Sequence, residues 1–535
     1  MTAFFKKNWY LVSLLAILFI AGAFRFYQLG SVPHGMTWDE AAIGYNGSAI
    51  FTTRRDEWLT RLPVSFRSFG DYKAPLAIYL SGFFTFVFGM NLFAVRLPFF
   101  IFSIFGILGT VLLTKEVFLK HKYAKHYALF AGFLIATSPW HFHYSRTGFE
   151  SGIALTLFIW GLYGFFKSLH TLFADKTASL LTILGFAGSM YAYHSSKVVV
   201  PLMLVALFIF YFASVIKNIR KVVTLAVAFV VLLIPLIKDS LYGEGLTRAG
   251  VSIVFEDISF QDKVFLILKN YGAHFSPQFL LFGETTTLRH GTGYLGVLFI
   301  TTLVLILAGL VRFLKEKMHR KQMALFILIV VIGFLPASVS SEVPHSNRSL
   351  LALPGFIMLA VYGLDYVLKK VRVRAMNKSA RGSHGEKNII VTSIVGLFLM
   401  VHSMFFIAFL GHYFTTFAAE SAEGFKDGYL DAFEIVKKYE YGEGVNEVDT
   451  IIFTSDYGQP YIYALFARKT NPIWYQGGSL IKYEFYDDIT ISDLSRKNAL
   501  IVGSNQDELP LEKADHIIYG SDHEMKFQIY RTKEE

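Results

Sequence analysis

The chain has 535 residues, of which 54% are hydrophobic and 17% charged, whereas soluble proteins carry about 25% charged residues. Most of it is therefore predicted to lie in a membrane. The net charge of +10 is typical of a membrane protein with its excess cations on cytoplasmic loops, so it requires no nucleic-acid partner. Because cysteine is absent, disulfides, thiolate catalysis and Cys-ligated metals are excluded.

The first apolar run extends from Trp9 to Phe26 and follows the basic pair Lys6 and Lys7. A secretory signal peptide would be followed by a small-residue cleavage site, whereas this chain continues to Trp38 and its acidic neighbours. We therefore predict an uncleaved membrane helix with a cytoplasmic N-terminus.

The next apolar stretch, Pro75–Leu113, allows two interpretations. It is either two short spans or one membrane-surface helix (Pro75–Gly89) followed by one true span (Phe93–Leu113). The segment Lys115–His126 is rich in Lys and His and should be cytoplasmic, which requires a single crossing after the first outer loop. Pro75–Gly89 is also shorter than the ~20 residues of a spanning helix. We therefore predict a surface or re-entrant helix there.

Nine further apolar runs complete a prediction of about eleven membrane spans, with the N-terminus inside and the C-terminus outside. The basic loops Lys217–Lys221, Arg312–Lys321 and Lys369–Lys387 all fall on the inside of this threading. The nine runs are Tyr127–Trp140, Gly152–Leu169, Leu180–Tyr193, Val198–Ile216, Val222–Ile237, Gly293–Val311, Met323–Leu335, Leu350–Leu368 and Ile389–Leu410.

Two domains are predicted: a membrane domain, residues 1–410, with large outer loops at 30–95 and 238–292, and a soluble extracytoplasmic α/β domain, residues 411–535. The second part alternates helical and strand-like patterns. Its predicted helices are Asp427–Glu440 and Tyr457–Arg468, and its predicted strands are Val448–Thr454, Ala499–Gly503 and Phe527–Tyr530.

Acids and cations concentrate in the outer loops, on one side of the predicted membrane. Acids there could act as a general base toward a hydroxyl, and Lys and Arg could hold a phosphate. The alternative is that these are solvated loop charges, and that arginines at span ends reach for lipid headgroups. His141 and His143 have no third ligand in view, so no zinc site is predicted.

Five short motifs, in order, resemble those of the GT-C glycosyltransferases, the fold class that includes the protein O-mannosyltransferases and the lipid A aminoarabinose transferases (glycosyltransferase family 39-like). The resemblance covers roughly the first 370 residues. The motifs are Trp38-Asp39-Glu40 through Tyr45, Tyr72-Lys73-Ala74-Pro75-Leu76, Phe93-Ala94-Val95-Arg96-Leu97-Pro98, Ser138-Pro139 to Ser145-Arg146 and Glu150, and Pro344-His345-Ser346-Asn347-Arg348. Two departures from the family pattern are Glu150 in place of the usual Asp, and Ala74-Pro75 in place of Pro-Pro.

The resemblance implies an inverting transferase in the cell membrane. Its donor would be a polyprenyl- or dolichyl-phosphate sugar, and its acceptor a protein, lipid or glycan hydroxyl on the outer face. Asp39 would be the general base, with Glu40 and Glu150 shaping the acceptor side. The cations implied to hold the lipid phosphate are Lys73, Arg96 and Arg146, together with Arg289, His345 and Arg348. No cofactor and no metal are implied.

A secondary transporter for an anionic substrate is the alternative. Transporters place ionisable residues near the bilayer centre, in broken helices that often belong to repeats. Here the ionisable residues lie at the outer ends of the spans and no repeat is found. A membrane-anchored receptor is a third possibility, but it would not explain the charged first loop.

Overall fold

The computed structural model describes residues 2–243, 253–255, 257–378, 384–475, 477 and 480–533. Parts of two predicted loops, Lys238–Thr292 and Lys369–Lys387, therefore lie outside the described residues. The helices up to residue 242 are α1 (Thr2–Phe26), α2 (Trp38–Thr53), α3 (Pro75–Phe88), α4 (Leu92–Val117), α5 (Ala124–Ala136), α6 (Pro139–His143), α7 (Ser151–His170), α8 (Lys176–Ala192), α9 (Ser196–Phe210), α10 (Phe212–Lys217) and α11 (Ile219–Tyr242).

The remaining elements include five of the seven strands among the described residues. The helices are α12 (Phe260–Ala273), α13 (Pro277–Leu281), α14 (Ile300–Lys315), α15 (Arg320–Ser338), α16 (Ser346–Ser349), α17 (Leu353–Lys378), α18 (His384–Phe414), α19 (Thr416–Glu420), α20 (Tyr429–Tyr441), α21 (Pro460–Arg468) and α22 (Pro472–Tyr475). The strands are β1 (Phe66–Ser68), β2 (Asp71–Lys73), β3 (Thr450–Thr454), β4 (Tyr483–Tyr486), β5 (Ala499–Ser504), β6 (His516–Tyr519) and β7 (Met525–Arg531).

A helix lies at each of the eleven predicted spans, as the mainly helical fold class requires. Seven helices among the described residues are long and apolar enough to cross a membrane: Lys6–Phe26, Leu92–Val117, Ser151–His170, Ile219–Tyr242, Arg320–Ser338, Ser346–Val373 and Ile389–Phe414. The other four, α5, α8, α9 and α14, have 13 to 17 residues. The chain is thus a multi-pass membrane protein, while the number of crossings stays a prediction.

The first outer loop is folded around two helices that pack closely on each other. Helix α3 corresponds to the predicted surface helix Pro75–Gly89 and has 14 residues. Helix α2 crosses it at Gly47, where a Cβ would lie 2.5 Å from the carbonyl oxygen of Ile78. Only glycine permits this approach. The contact fixes the start of α2 relative to the β1–β2 hairpin that leads into α3.

The C-terminal part contains a five-stranded mixed sheet in the order β4-β3-β5-β7-β6. Strands β4, β3 and β5 are parallel, and β7 is antiparallel to both β5 and β6. The three predicted strands and both predicted helices are present, with shifted ends. The sequence analysis missed the edge strands β4 and β6, each of which has four residues.

The C-terminal domain packs directly on the first outer loop. The Tyr463 hydroxyl donates to the Met36 carbonyl oxygen at 2.7 Å, and the Tyr45 hydroxyl donates to that of Thr470 at 2.9 Å. Ile43 and Phe453 belong to one shared cluster of fully buried apolar side chains. Burial of this kind fixes the domain over the start of α2.

Candidate active site

A capping box at the start of α2 separates the two neighbouring acids Asp39 and Glu40. Thr37 is the N-cap, and its hydroxyl accepts from the Glu40 amide at 3.1 Å. The Glu40 carboxylate returns to accept from the Thr37 amide at 3.0 Å. This reciprocal pairing requires an acid at the third helical position, which is Glu40. Glu40 therefore turns into the protein, while Asp39, one position earlier, faces a cavity.

Glu40 forms a buried ion pair with Arg96 of α4, and their side chains are 1% and 0% exposed. The two carboxylate oxygens accept from Arg96 Nε at 2.7 Å and Nη2 at 3.2 Å. The other guanidinium donors go to the carbonyl oxygens of Leu29, Pro33 and Gly35. All five N–H donors of Arg96 thus meet protein acceptors, whereas the resemblance implied a phosphate contact for this residue.

Arg146 is also directed into the protein and away from the cavity. Its guanidinium binds five carbonyl oxygens at and after the end of α1, those of Phe24, Arg25, Tyr27, Gln28 and Val32, at 2.6–3.2 Å. A helix C-terminus exposes unpaired carbonyls with a partial negative charge, which a cation stabilises. Burial lowers the pKa of Arg146 to about 10, so the group remains charged at neutral pH.

Lys73 forms an ion pair with Asp39. Lys73 ends β2, and the β1–β2 hairpin brings it back to the start of α2. The two side chains are only 9% and 22% exposed. The pair therefore fixes the Asp39 carboxylate at the start of α2 next to a cation.

Asp39 and Lys73 lie on the wall of a polar cavity of about 340 Å³. Six of the nine predicted site residues line it: Asp39, Lys73, Glu150, Arg289, His345 and Arg348. The other three, Glu40, Arg96 and Arg146, lie behind the wall in the contacts described above. Residues from four parts of the chain, far apart in sequence, thus meet in one enclosure.

The basic side of the cavity is held in place by the second outer loop. The His143 ring contacts the Arg289 carbonyl oxygen through Nε2 at 3.0 Å, and the Arg289 guanidinium lies 5.3 Å from the centre of the Trp38 ring. Tyr144 and Ser346 share a hydroxyl–hydroxyl hydrogen bond of 2.7 Å, which anchors the short helix α16 that carries Arg348. His143 is thus a buried structural contact.

A cluster of three side chains in the same cavity has the chemistry of a cation site. Potential ligand atoms of His290, Glu342 and His345 lie within 4.8 Å of one another. Burial, with Arg289 nearby, lowers the pKa of His290 well below its usual range, so the ring is neutral and can offer a lone pair. Two imidazoles and a carboxylate suit zinc. The sequence analysis expected no metal and did not connect His290 with Glu342.

Several cavity residues were not predicted, and one of them comes from the other domain. Gln459, just before α21, lines the cavity and belongs to none of the five sequence motifs. Next to it, a Cβ on Gly458 would lie 3.1 Å from the Trp38 ring. The other lining residues, to which the sequence analysis gave no role, are aromatic or polar: Trp38, Ser68, Phe69, Asp71, Phe149, Tyr193, His290, Ser341, Glu342 and Asn347. Aromatic rings combined with amides and carboxylates are well suited to a sugar, which has both apolar faces and hydroxyl groups.

No family model and no curated protein sequence matches this chain. Solved structures do match it in fold. ArnT from Cupriavidus metallidurans, solved bound to undecaprenyl phosphate, matches with a TM-score of 0.54 at 11% identity, over 98% of both chains. The oligosaccharyltransferase of Archaeoglobus fulgidus in its apo form matches with a TM-score of 0.53 at 15% identity, over 88% of this chain and 64% of that one.

The similarity extends over almost the whole of this chain, including the C-terminal domain that the sequence motifs could not match. A second structure of the archaeal protein, AglB in complex with an inhibitory peptide and a dolichol-phosphate, matches with a TM-score of 0.50 at 14% identity, over 94% of this chain and 70% of that one. ArnT and AglB both have the GT-C fold. This chain therefore has the GT-C fold, with a C-terminal domain that contains a sheet.

Proposed function

We propose that the protein is a membrane glycosyltransferase that moves a sugar from a polyprenyl-phosphate donor to an acceptor hydroxyl. The observation that carries this proposal is the polar cavity, in which the Asp39–Lys73 pair lies with Arg289 and Arg348. One carboxylate with several cations matches the two needs of the reaction, a base and an anion site. The fold supports it too, because ArnT and AglB were solved with undecaprenyl phosphate and dolichol-phosphate. A transporter gains no support from this fold.

The proposed step is a single displacement at the anomeric carbon of the sugar. The acceptor oxygen attacks that carbon while Asp39 removes the hydroxyl proton, and the bond from the carbon to the phosphate oxygen breaks. The electron pair of that bond stays on the phosphate, whose charge Lys73, Arg289 and Arg348 stabilise. Displacement from the face opposite the leaving group inverts the anomeric configuration. Glu150 lies on the acceptor side of this arrangement.

Three buried residues contribute by positioning the loops that carry Asp39 and Glu150. They are Arg96, Glu40 and Arg146. Arg96 and Glu40 connect the start of α2 to the chain around Pro33 and Gly35, and a Glu40 oxygen also accepts from the Gly148 amide at 3.0 Å. Arg146 ties the second outer loop to the end of α1. Together they hold the first and second outer loops, and so Asp39 and Glu150, in a fixed relation. Preorganisation of this kind is what makes a general base effective.

We propose that the cavity opens to the outside of the cell membrane, with the N-terminus inside and residues 411–535 outside. The support is the charge pattern, because the basic loops around Lys122, Arg320 and Lys369 lie at the helix ends away from the cavity. Gln459 extends the cavity wall from the C-terminal domain, so that domain has a role in substrate binding.

Turnover assays on the purified chain test the proposal. Polyprenyl phosphates that carry different single sugars are supplied with a mixture of protein, lipid and glycan acceptors, and release of polyprenyl phosphate is measured with and without EDTA. We expect release with one sugar, in the presence of EDTA as well, because side-chain cations suffice for the phosphate. If EDTA abolished the release of polyprenyl phosphate and added zinc restored it, the His290 cluster would be part of the reaction. No release with any donor, together with uptake of an anionic solute into vesicles, would favour a transporter.

A further inference from the structure

A second cavity, of about 550 Å³, lies between α1, α5, α17 and α18 at the ends of these helices farther from the candidate active site. Helix α1 shows this separation. Ile17 and Ser13 line the cavity, whereas the carbonyls around Phe26 are bound by Arg146 beside the active site. At 1.5 Å per residue, Ile17 and Ser13 lie roughly 13–20 Å along the helix from Phe26. The cavity is therefore separate from the site described above.

The cavity is a slot with an apolar floor and a polar mouth. On α17 the lining residues Leu364, Leu368 and Arg372 are spaced by four and so share one helix face, and Arg372 ends the row. On α18, Val391, Val395 and Leu399 form a second such row. Four of the uncharged polar lining residues gather at the Arg372 end, namely Tyr123, His126, Tyr127 and Thr392, and the fifth is Ser13 of α1.

The mouth of the slot is positively charged. The Arg372 guanidinium lies 4.5 Å from the centre of the Tyr123 ring, and the Lys122 ammonium 5.6 Å from the same centre. Among the described residues, none that lines the cavity is acidic. The acid beside it, Asp365, already pairs with Arg312 at 2.6 Å and offers little negative charge to Arg372.

The depth of the slot matches one lipid leaflet. From Tyr123 at the mouth to Phe133 at the floor is ten residues of mostly helical chain, or about 15 Å, which is half of the ~30 Å hydrocarbon core. A single acyl chain is thin enough to enter.

We propose that this slot binds one anionic glycerophospholipid of the leaflet opposite the active site. One of its two acyl chains fills the space between α5 and α18, and its phosphate contacts Arg372. Basic pockets between membrane helices are known places for anionic headgroups. The apolar floor favours a lipid over free phosphate as the ligand. The proposal does not depend on the transferase activity.

Native mass spectrometry of the full chain, purified in detergent with mixed phosphatidylglycerol and phosphatidylcholine, tests the proposal. We expect one retained phosphatidylglycerol per chain. Arg372→Gln should weaken its retention about fivefold, which is the effect of ~1 kcal/mol per cation. Val395→Trp, or the milder Val395→Phe, should block the slot and lower retention of both lipids. The matched control is Lys370→Gln, because Lys370 lies on the same helix over the Tyr366 ring and outside the slot.

Three outcomes would overturn the proposal. Equal losses in Arg372→Gln and Lys370→Gln would indicate a diffuse surface charge. Unchanged retention in both Val395 variants would place the lipid elsewhere. Displacement of phosphatidylglycerol by inorganic phosphate, or by an equal amount of undecaprenyl phosphate, would identify a different ligand.

Discussion

Arg96 and Glu40 form a fully buried ion pair in which both carboxylate oxygens accept from the same guanidinium, at 2.7 and 3.2 Å. Removing one partner leaves an unpaired buried charge, which typically costs 3–5 kcal/mol, whereas removing both costs less. We predict that Glu40→Gln and Arg96→Met each lower the unfolding temperature of the purified protein markedly. The double variant should be less affected than the sum of the two. Normal unfolding temperatures combined with weak donor binding in Arg96→Met would instead support a phosphate contact.

Lys73 is predicted to bind the donor phosphate through its positive charge. Lys73→Met should therefore weaken donor binding and lower turnover. Lys73→Arg should retain more activity, because a cation remains, although its planar group differs from an ammonium. The exposed Lys497, changed to Met, is the control. Equal losses in Lys73→Arg and Lys73→Met would contradict a mainly electrostatic role.

Gln459 is predicted to contribute to substrate binding from the C-terminal domain. A side-chain amide that hydrogen-bonds a sugar hydroxyl is worth about 1 kcal/mol, or a fivefold change. Gln459→Ala should raise the KM for one substrate about that much and leave kcat nearly unchanged. The exposed Gln506, changed to Ala, provides the matched control in the same domain. Identical kinetics in the two variants would mean that the domain packs against the site without reading the substrate.

The orientation in the membrane can be tested cleanly because the chain has no cysteine. Lys122 and Asp488 are both exposed, the first on the predicted cytoplasmic loop and the second in the C-terminal domain. A cysteine at Asp488 should react with an impermeant thiol reagent in intact cells. One at Lys122 should react only after the membrane is opened. Labelling of Lys122→Cys from outside would reverse the threading.

The sequence was informative about the fold because long apolar runs, separated by basic loops, specify helices directly. It predicted a helix at each position where α1, α4, α7 and the other membrane helices lie. The edge strand β6 was missed because its four residues, His516–Tyr519, show no alternation. The edge strand β4 follows an alternating run, Ile481-Lys482-Tyr483-Glu484-Phe485, which the sequence analysis did not use.

The site was predicted in part, since charged residues at the end of a span look alike whether they bind a ligand or the protein itself. The family resemblance implied a phosphate contact for Arg96 and Arg146, yet both are bound by carbonyl oxygens. One signal was present in the sequence. Thr37 and Glu40 have the spacing of a capping box, which predicts the start of α2 and directs Glu40 inward. Gln459 carries no such signal, because its approach to Asp39 depends on how two domains pack.

The most direct test of the central proposal is the turnover of Asp39→Asn with a polyprenyl-phosphate sugar. Asn retains the shape of Asp39 and removes its basicity, so turnover should fall by about 10²–10⁴-fold, the usual worth of a general base, while donor binding stays nearly normal. Glu40 is unsuitable for comparison because it is buried. Asp71 is the matched control, since it lies on the same hairpin as Lys73 and lines the same cavity. Asp71→Asn should lose far less activity. Turnover near the wild-type level in Asp39→Asn, or equal losses in the two variants, would contradict the role of Asp39 as the base.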